Sequence, residues 1–187
     1  DSGTIGGDVT HEFHVLAESG EDTISFCSDC DYAANIERAT SKHESRSVEL
    51  PQNAPVAEDV ATPEKKSIEE VSSFLGVKPD QTVKMVVYEV DAGEYYAGVC
   101  IRGDREVNEA KVRTALDADQ VRIPEDDELR SKTGLAVGYL GAFGEARRAL
   151  KKVIADYSVS PLADVVVGAN RDGFHRIHVY PDRDLEF

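Results

Sequence analysis

Apolar and polar positions alternate with period two through Thr82-Val83-Lys84-Met85-Val86-Val87-Tyr88-Glu89, a β-branched and aromatic run whose length predicts a central strand. Val83, Met85 and Val87 fall on one face, while Thr82, Lys84, Val86 and Tyr88 fall on the other. Lys84 therefore stands among only moderately apolar neighbours, and two readings stay open. It is either a solvated strand lysine whose ammonium reaches water, or a cation lining a cleft for an anionic substrate. Tyr95-Tyr96-Ala97-Gly98-Val99-Cys100-Ile101 predicts a second strand, joined to the first as a hairpin through Asp91-Ala92-Gly93-Glu94.

The period changes to helical at Ile68, Val71, Phe74 and Leu75. Ser67-Ile68-Glu69-Glu70 forms a capping box ahead of this run, and Gly76 is placed to end it. Asn108 can cap a helix through Leu116, with Val107 as staple, and Pro124 opens another with acids in its first turn. Lys152–Ala155, Ala163–Val167 and His175–Val179 predict further strands. The second of these is apolar enough to be central, and Gly168 to Gly173 form the turn before the last.

Near the N-terminus, Glu12–Ala17 and Thr23–Cys27 flank a polar, glycine-bearing turn and read as a hairpin. Because a lone hairpin is marginal in water, it is expected to belong to a larger sheet. From Arg38 to Thr62 the chain turns polar and proline-bearing, which reads as an extended linker. The expectation is an α+β fold, a mixed β-sheet flanked by helices over 63–187, with a linker over 41–62 and an N-terminal hairpin segment over 1–40.

With 187 residues, 41% hydrophobic and 30% charged, the chain can bury one sizeable core and a small appendage. Its formal net charge of −15 opposes long-range attraction to nucleic acid, so any RNA contact must be local. Arg147-Arg148-Ala149-Leu150-Lys151-Lys152 is the local candidate, with a solvated helix end as the alternative. The absence of a long apolar run or a leader pattern leads to the expectation of a cytoplasmic protein without a membrane segment, its thiols reduced. Cys27-Ser28-Asp29-Cys30 has the spacing of half a zinc site. His11 and His14, three apart on a strand, point to opposite faces, so no metal site is expected.

No nucleophile elbow, Walker loop, dinucleotide fingerprint or His-Glu-x-x-His is present. What remains is Lys84, a loop bearing Gly134, Gly138, Gly141 and Gly144, and the polar turn from Asn170 to His175. Such a set can bind an acylated nucleotide end and hold water against its ester, with Lys84 and backbone N–H groups stabilising negative charge.

Thr82-Val83-Lys84, the run Val99-Cys100-Ile101-Arg102-Gly103-Asp104-Arg105-Glu106-Val107-Asn108-Glu109-Ala110-Lys111, then Gly138-Tyr139-Leu140-Gly141 and Gly168 to His175 resemble, in that order, the editing (insertion) domain of bacterial-type prolyl-tRNA synthetases. Asp1 to Phe13, then Ser19 to Asp22 and Asp31 to Asn35, resemble the catalytic domain just ahead of that insertion. The resemblance covers essentially the whole chain. Ala142 departs from it, standing where the family usually carries proline.

The resemblance implies a YbaK-like aminoacyl-tRNA deacylase fold and hydrolysis of mischarged Ala-tRNA(Pro). A pocket built for proline rejects a smaller side chain by only about 1–3 kcal/mol per methylene, so a second, hydrolytic sieve is needed. It also implies Lys84 as the catalytic residue, with Gly138, Tyr139, Leu140, Gly141, Asn170, Asp172 and His175 binding substrate. His11 and Glu12 would belong to the proline pocket of the parent enzyme. The implied partners are the tRNA(Pro) acceptor end and the rest of a homodimeric synthetase. Editing would need no cofactor, whereas the parent's aminoacylation, which this fragment should not perform, would use ATP and Mg. The alternative from a different class is a tRNA-docking or structural insertion module that has lost editing.

Overall fold

The structure, a computed structural model, describes residues 15, 17, 19–20, 23–40 and 48–187. The chain divides into two compact units, Asp1–Thr40 and Ser41–Phe187.

In the first unit, β1 (Ile24–Phe26) pairs antiparallel with β2 (Ala33–Asn35), in register Ile24↔Asn35 and Phe26↔Ala33. This differs from the hairpin expected about Gly20. Most of that hairpin's first run lies outside the described residues, and the described Val15 and Ala17 are exposed and in no strand. The turn that forms runs from Cys27 to Tyr32, where Cys27 N–H donates to the Tyr32 carbonyl at 2.9 Å. Small polar residues make that reversal easy, and a two-residue period was too short in β2 to stand out.

The second unit holds two sheets. One has the order β3-β9-β8, with β3 (Glu58–Ala61), β8 (Val165–Gly168) and β9 (Phe174–Val179) all antiparallel. The other has the order β6-β4-β5-β7. In it β4 (Val83–Val90) and β5 (Tyr95–Arg102) form the expected hairpin, β6 (Val121–Arg122) adds antiparallel to β4, and β7 (Lys152–Ala155) adds parallel to β5. The two sheets share a core and, among the described residues, are joined by one isolated parallel bridge, Thr82↔Val166.

Two expectations about strands change. The extended segment ending near Thr62 is not all linker, since residues 58–61 pair along β9 as β3. β8 is buried along its whole length but is an edge strand of its sheet rather than a central one. Burial by packing and burial by pairing leave the same apolar signature in sequence.

Helix α1 (Ile68–Leu75) carries the full Ser67/Glu70 capping box and ends at Gly76, whose φ of 69° is the left-handed cap. Asn108 caps α2 (Glu109–Leu116) by accepting from Lys111 N–H. α3 (Asp126–Thr133) begins one residue beyond Glu125, so Pro124 lies just outside it. α4 (Gly144–Ala149), unassigned from sequence, and α5 (Pro181–Asp184) complete the unit.

The period-two reading of β4 describes the packing. Val83, Met85 and Val87 enter a core with Leu129, Leu140, Val153, Val165 and Val179. Tyr88 and Val90 enter a second core, built with Val112 and Leu116 of α2. α2 covers that face at Tyr88 and Val90, and Lys84 lies where the cover has ended.

Candidate active site

A cleft of about 320 Å³ opens at the start of β4, where the two sheets meet at Thr82 and Val166. Its lining includes Lys84, Glu106, Gly138, Leu140, His175 and Lys66. Four residues singled out in the sequence, Lys84, Gly138, Leu140 and His175, thus come together from three distant stretches. Tyr139, Gly141, Asn170 and Asp172 do not line it.

Lys84 keeps 21% of its side chain exposed, and its Nζ donates to Glu106 Oε1 at 2.8 Å. Glu106 sits in the loop between β5 and α2 with 91% of its side chain in solvent. An exposed carboxylate holds a cation weakly because water screens the pair. Lys66, just ahead of the Ser67 cap, is the other cation of the cleft. Its Nζ lies 6.0 Å from the Tyr139 ring centre, and its aliphatic stem is packed beside Gly138.

His175, on β9, is buried, with Nδ1 2.6 Å from Thr62 Oγ1 and its ring 5.5 Å from Tyr139 in an edge arrangement. Burial pulls its pKa down to about 4, so the ring is neutral near pH 7 and offers the cleft a hydrogen-bonding group without charge.

Asn170 acts through the glycine loop. At φ 57° it turns the chain after β8, and its side chain accepts from Gly141 N–H (2.8 Å) while donating to the carbonyls of Gly141 (3.1 Å) and Phe143 (2.9 Å). Asn170 N–H also donates to the Tyr139 carbonyl at 2.7 Å. These four bonds tie the Tyr139–Phe143 segment to the turn after β8, and Ala142 is buried in the first core. Gly141 and Gly168 are needed for contact. A Cβ on Gly168 would overlap the Tyr139–Leu140 backbone, and one on Gly141 would strike the Gly168 carbonyl and the Phe143 ring. Gly138, at φ 93°, is the glycine of this loop that faces the cleft.

Asp172 is exposed, 3.4 Å from Arg130. Of the basic run, Lys152 Nζ donates to the Leu116 carbonyl at 3.0 Å and Lys151 Nζ lies 4.5 Å from the Tyr95 ring centre. Neither faces the cleft. His11 and Glu12 lie outside the described residues. Sequence reasoning missed Lys66, Thr62 and the part played by Glu106. Glu106 was visible inside the Gly103–Lys111 motif, but nothing local marks it as the partner of a lysine 22 residues away.

Residues 62–185 match the family model described as an aminoacyl-tRNA editing domain. The chain belongs to that family. Relatives of this editing domain include proline–tRNA ligases of Desulforamulus reducens, 43% identical over 100% of this chain and 32% of the relative, and of Bacillus cytotoxicus, 42% identical over 100% and 32%. The chain thus spans about a third of the length of the curated relatives it matches. Among solved structures, a candidate trans-editing enzyme for prolyl tRNA synthetase superposes with TM-score 0.54 at 17% identity, over 67% of this chain and 77% of that one. A protein described as hypothetical superposes with TM-score 0.55 at 21% identity, over 65% and 79%. These likenesses show the YbaK-like editing-domain fold. Among the described residues no helix is long and apolar enough to cross a membrane.

Proposed function

We propose that this editing domain hydrolyses the ester of mischarged Ala-tRNA(Pro), as a region of a proline–tRNA ligase. The observation that carries the reading is the Lys84 ammonium in the cleft, held among the described residues by the exposed carboxylate of Glu106 and so able to exchange it for a substrate oxygen. Lys84 fixes a phosphate or ester oxygen of the terminal adenosine. The attacking group is water, and the carbonyl oxygen develops its charge toward the ammonium and the N–H groups of the glycine loop.

The acyl group lies against Gly138 and Leu140, beside the aliphatic stem of Lys66. His175 lines the cleft with the Tyr139 ring edge-on behind it, and Asn170 holds the loop in place. Lys66 lies in the cleft as a second cation for the acceptor strand, which makes RNA contact local in a chain of net charge −15. Editing in this reading needs no cofactor. ATP and Mg serve aminoacylation by the parent enzyme, a cytoplasmic homodimer, and the segment 1–40 carries His11 and Glu12 of its proline pocket.

The test is single-turnover hydrolysis of Ala-tRNA(Pro) by the chain, with Pro-tRNA(Pro) as the control. Release of alanine with proline left in place is the expected result. Binding of the acceptor end without hydrolysis would instead make the domain a docking module.

A further inference from the structure

The β1–β2 hairpin carries two thiols in its turn, and the editing reaction uses neither. Phe26↔Ala33 is the last rung of the ladder, and the Cys27 N–H bond to the Tyr32 carbonyl closes the loop behind it. Within that loop Asp29 N–H donates to Cys27 Sγ at 3.4 Å. Cys30 follows in the same closed turn, three residues after Cys27. Donors that converge on one sulfur favour its thiolate. The Cys27 pKa is lowered from the ordinary thiol value, first by Asp29 N–H and then by Cys30. Ser28 Oγ donates to the Asp29 carboxylate at 3.1 Å.

Both sulfurs are exposed, which gives a reagent access. The third cysteine shows the opposite environment: Cys100 is 1% exposed in the core, and burial pushes its thiol up to about 12. Two thiolates alone make half of a tetrahedral zinc site, and among the described residues no group of three or more His, Cys, Asp or Glu could hold a metal ion.

We propose that Cys27 and Cys30 form a redox-active dithiol that exchanges with small-molecule disulfides of the glutathione type, with Cys27 attacking and Cys30 resolving. The Cys27 thiolate attacks one sulfur of the disulfide, whose S–S bond breaks as one thiol leaves with its electron pair and takes up a proton. Cys30 then gives up its proton and attacks the Cys27 sulfur of the mixed disulfide, expelling the second thiol. The protein dithiol is oxidised by two electrons, and the small disulfide is reduced to two thiols.

The test equilibrates the whole chain with oxidised glutathione, quenches free thiols by alkylation, and reads intact mass and cysteine-containing peptides. The wild type is expected to lose two hydrogens in the peptide that holds Cys27 and Cys30, with Cys100 left as a free thiol. Cys30→Ser should trap one glutathione on Cys27. Cys27→Ser should take up glutathione on Cys30 about tenfold more slowly, because the backbone donors converge on Cys27. A wild type that stays a dithiol, or that collects two glutathiones without closing the ring, overturns the proposal. So do equal rates in the two variants. Stoichiometric zinc that must be stripped before either thiol reacts would also overturn it, because the thiols would then be metal ligands.

Discussion

β4 carries one charged side chain near each end, and the two are treated in opposite ways. Glu89, near its close, keeps only 7% of its side chain exposed and is bonded by Arg122, its cross-strand partner on β6. Arg122 also grips Glu128 of α3 with two bonds, of 2.9 and 2.6 Å. Hydrogen bonding from Arg122 holds the Glu128 carboxyl below its usual range, and the guanidinium is raised in turn. Lys84, at the other end, has one bond to one carboxylate that stands in solvent. A network that uses its charges on one another fastens β6 and α3 to the sheet and leaves nothing for a ligand. A single pair with an exposed partner keeps a cation in reserve at the cleft.

Lys84→Ala should break this contrast most sharply. Deacylation of Ala-tRNA(Pro) is expected to fall about 10²–10³-fold, the scale of one preorganised donor, with the thermal midpoint nearly unchanged. An unchanged rate in an active preparation would return Lys84 to the solvated strand face. Glu89→Ala should do the reverse. Melting is expected to come several degrees lower, because Arg122 loses its buried partner, while the rate per folded molecule is kept. A large loss of rate at full folding would show that the far end also serves catalysis.

His175 sharpens the comparison through pH. Unfolded, its imidazole binds a proton near pH 6.5, whereas the folded protein resists protonation down to about 4. Between these values the unfolded state binds more protons, so this residue's part in stability falls as pH drops from 6.5 to 4 and is constant above 6.5. Urea titrations across that window should show a slope that His175→Gln removes. The smallest effect belongs to Glu106→Gln. Freeing Lys84 of its carboxylate should lower the apparent KM for tRNA by less than about fivefold, with kcat held. A fall in kcat would mean that Glu106 positions the ammonium for the reaction.

Much of the β4–β5 hairpin and of α1 was legible because their signals are local. Alternation, a turn, a capping box and a terminal glycine all lie within a few residues of what they specify. β3 was not legible, since what makes it a strand is β9, more than a hundred residues on, and Thr62 meets His175 at a separation of 113. The Gly138–Gly141 loop was visible as a loop, but the spacing could not divide its glycines into Gly138, which faces the cleft, and Gly141, which packs on Gly168. Asn170 was found as a polar turn residue, while its work on Gly141 and Phe143 depends on tertiary placement alone. Lys84 was singled out through motif resemblance and strand geometry, whereas Glu106, though inside the same motif, was not marked as its partner.

The pairing of β3 with β9 also decides how this domain can be carried by another protein. Glu58 lies across from Ile177, and Arg183 reaches back to donate to the Pro55 carbonyl at 2.9 Å. Residues 55–61 and 174–183 therefore run side by side, and the unit is latched from inside by its first and last strands. A host that carried it would hold a piece whose closing ladder is its own.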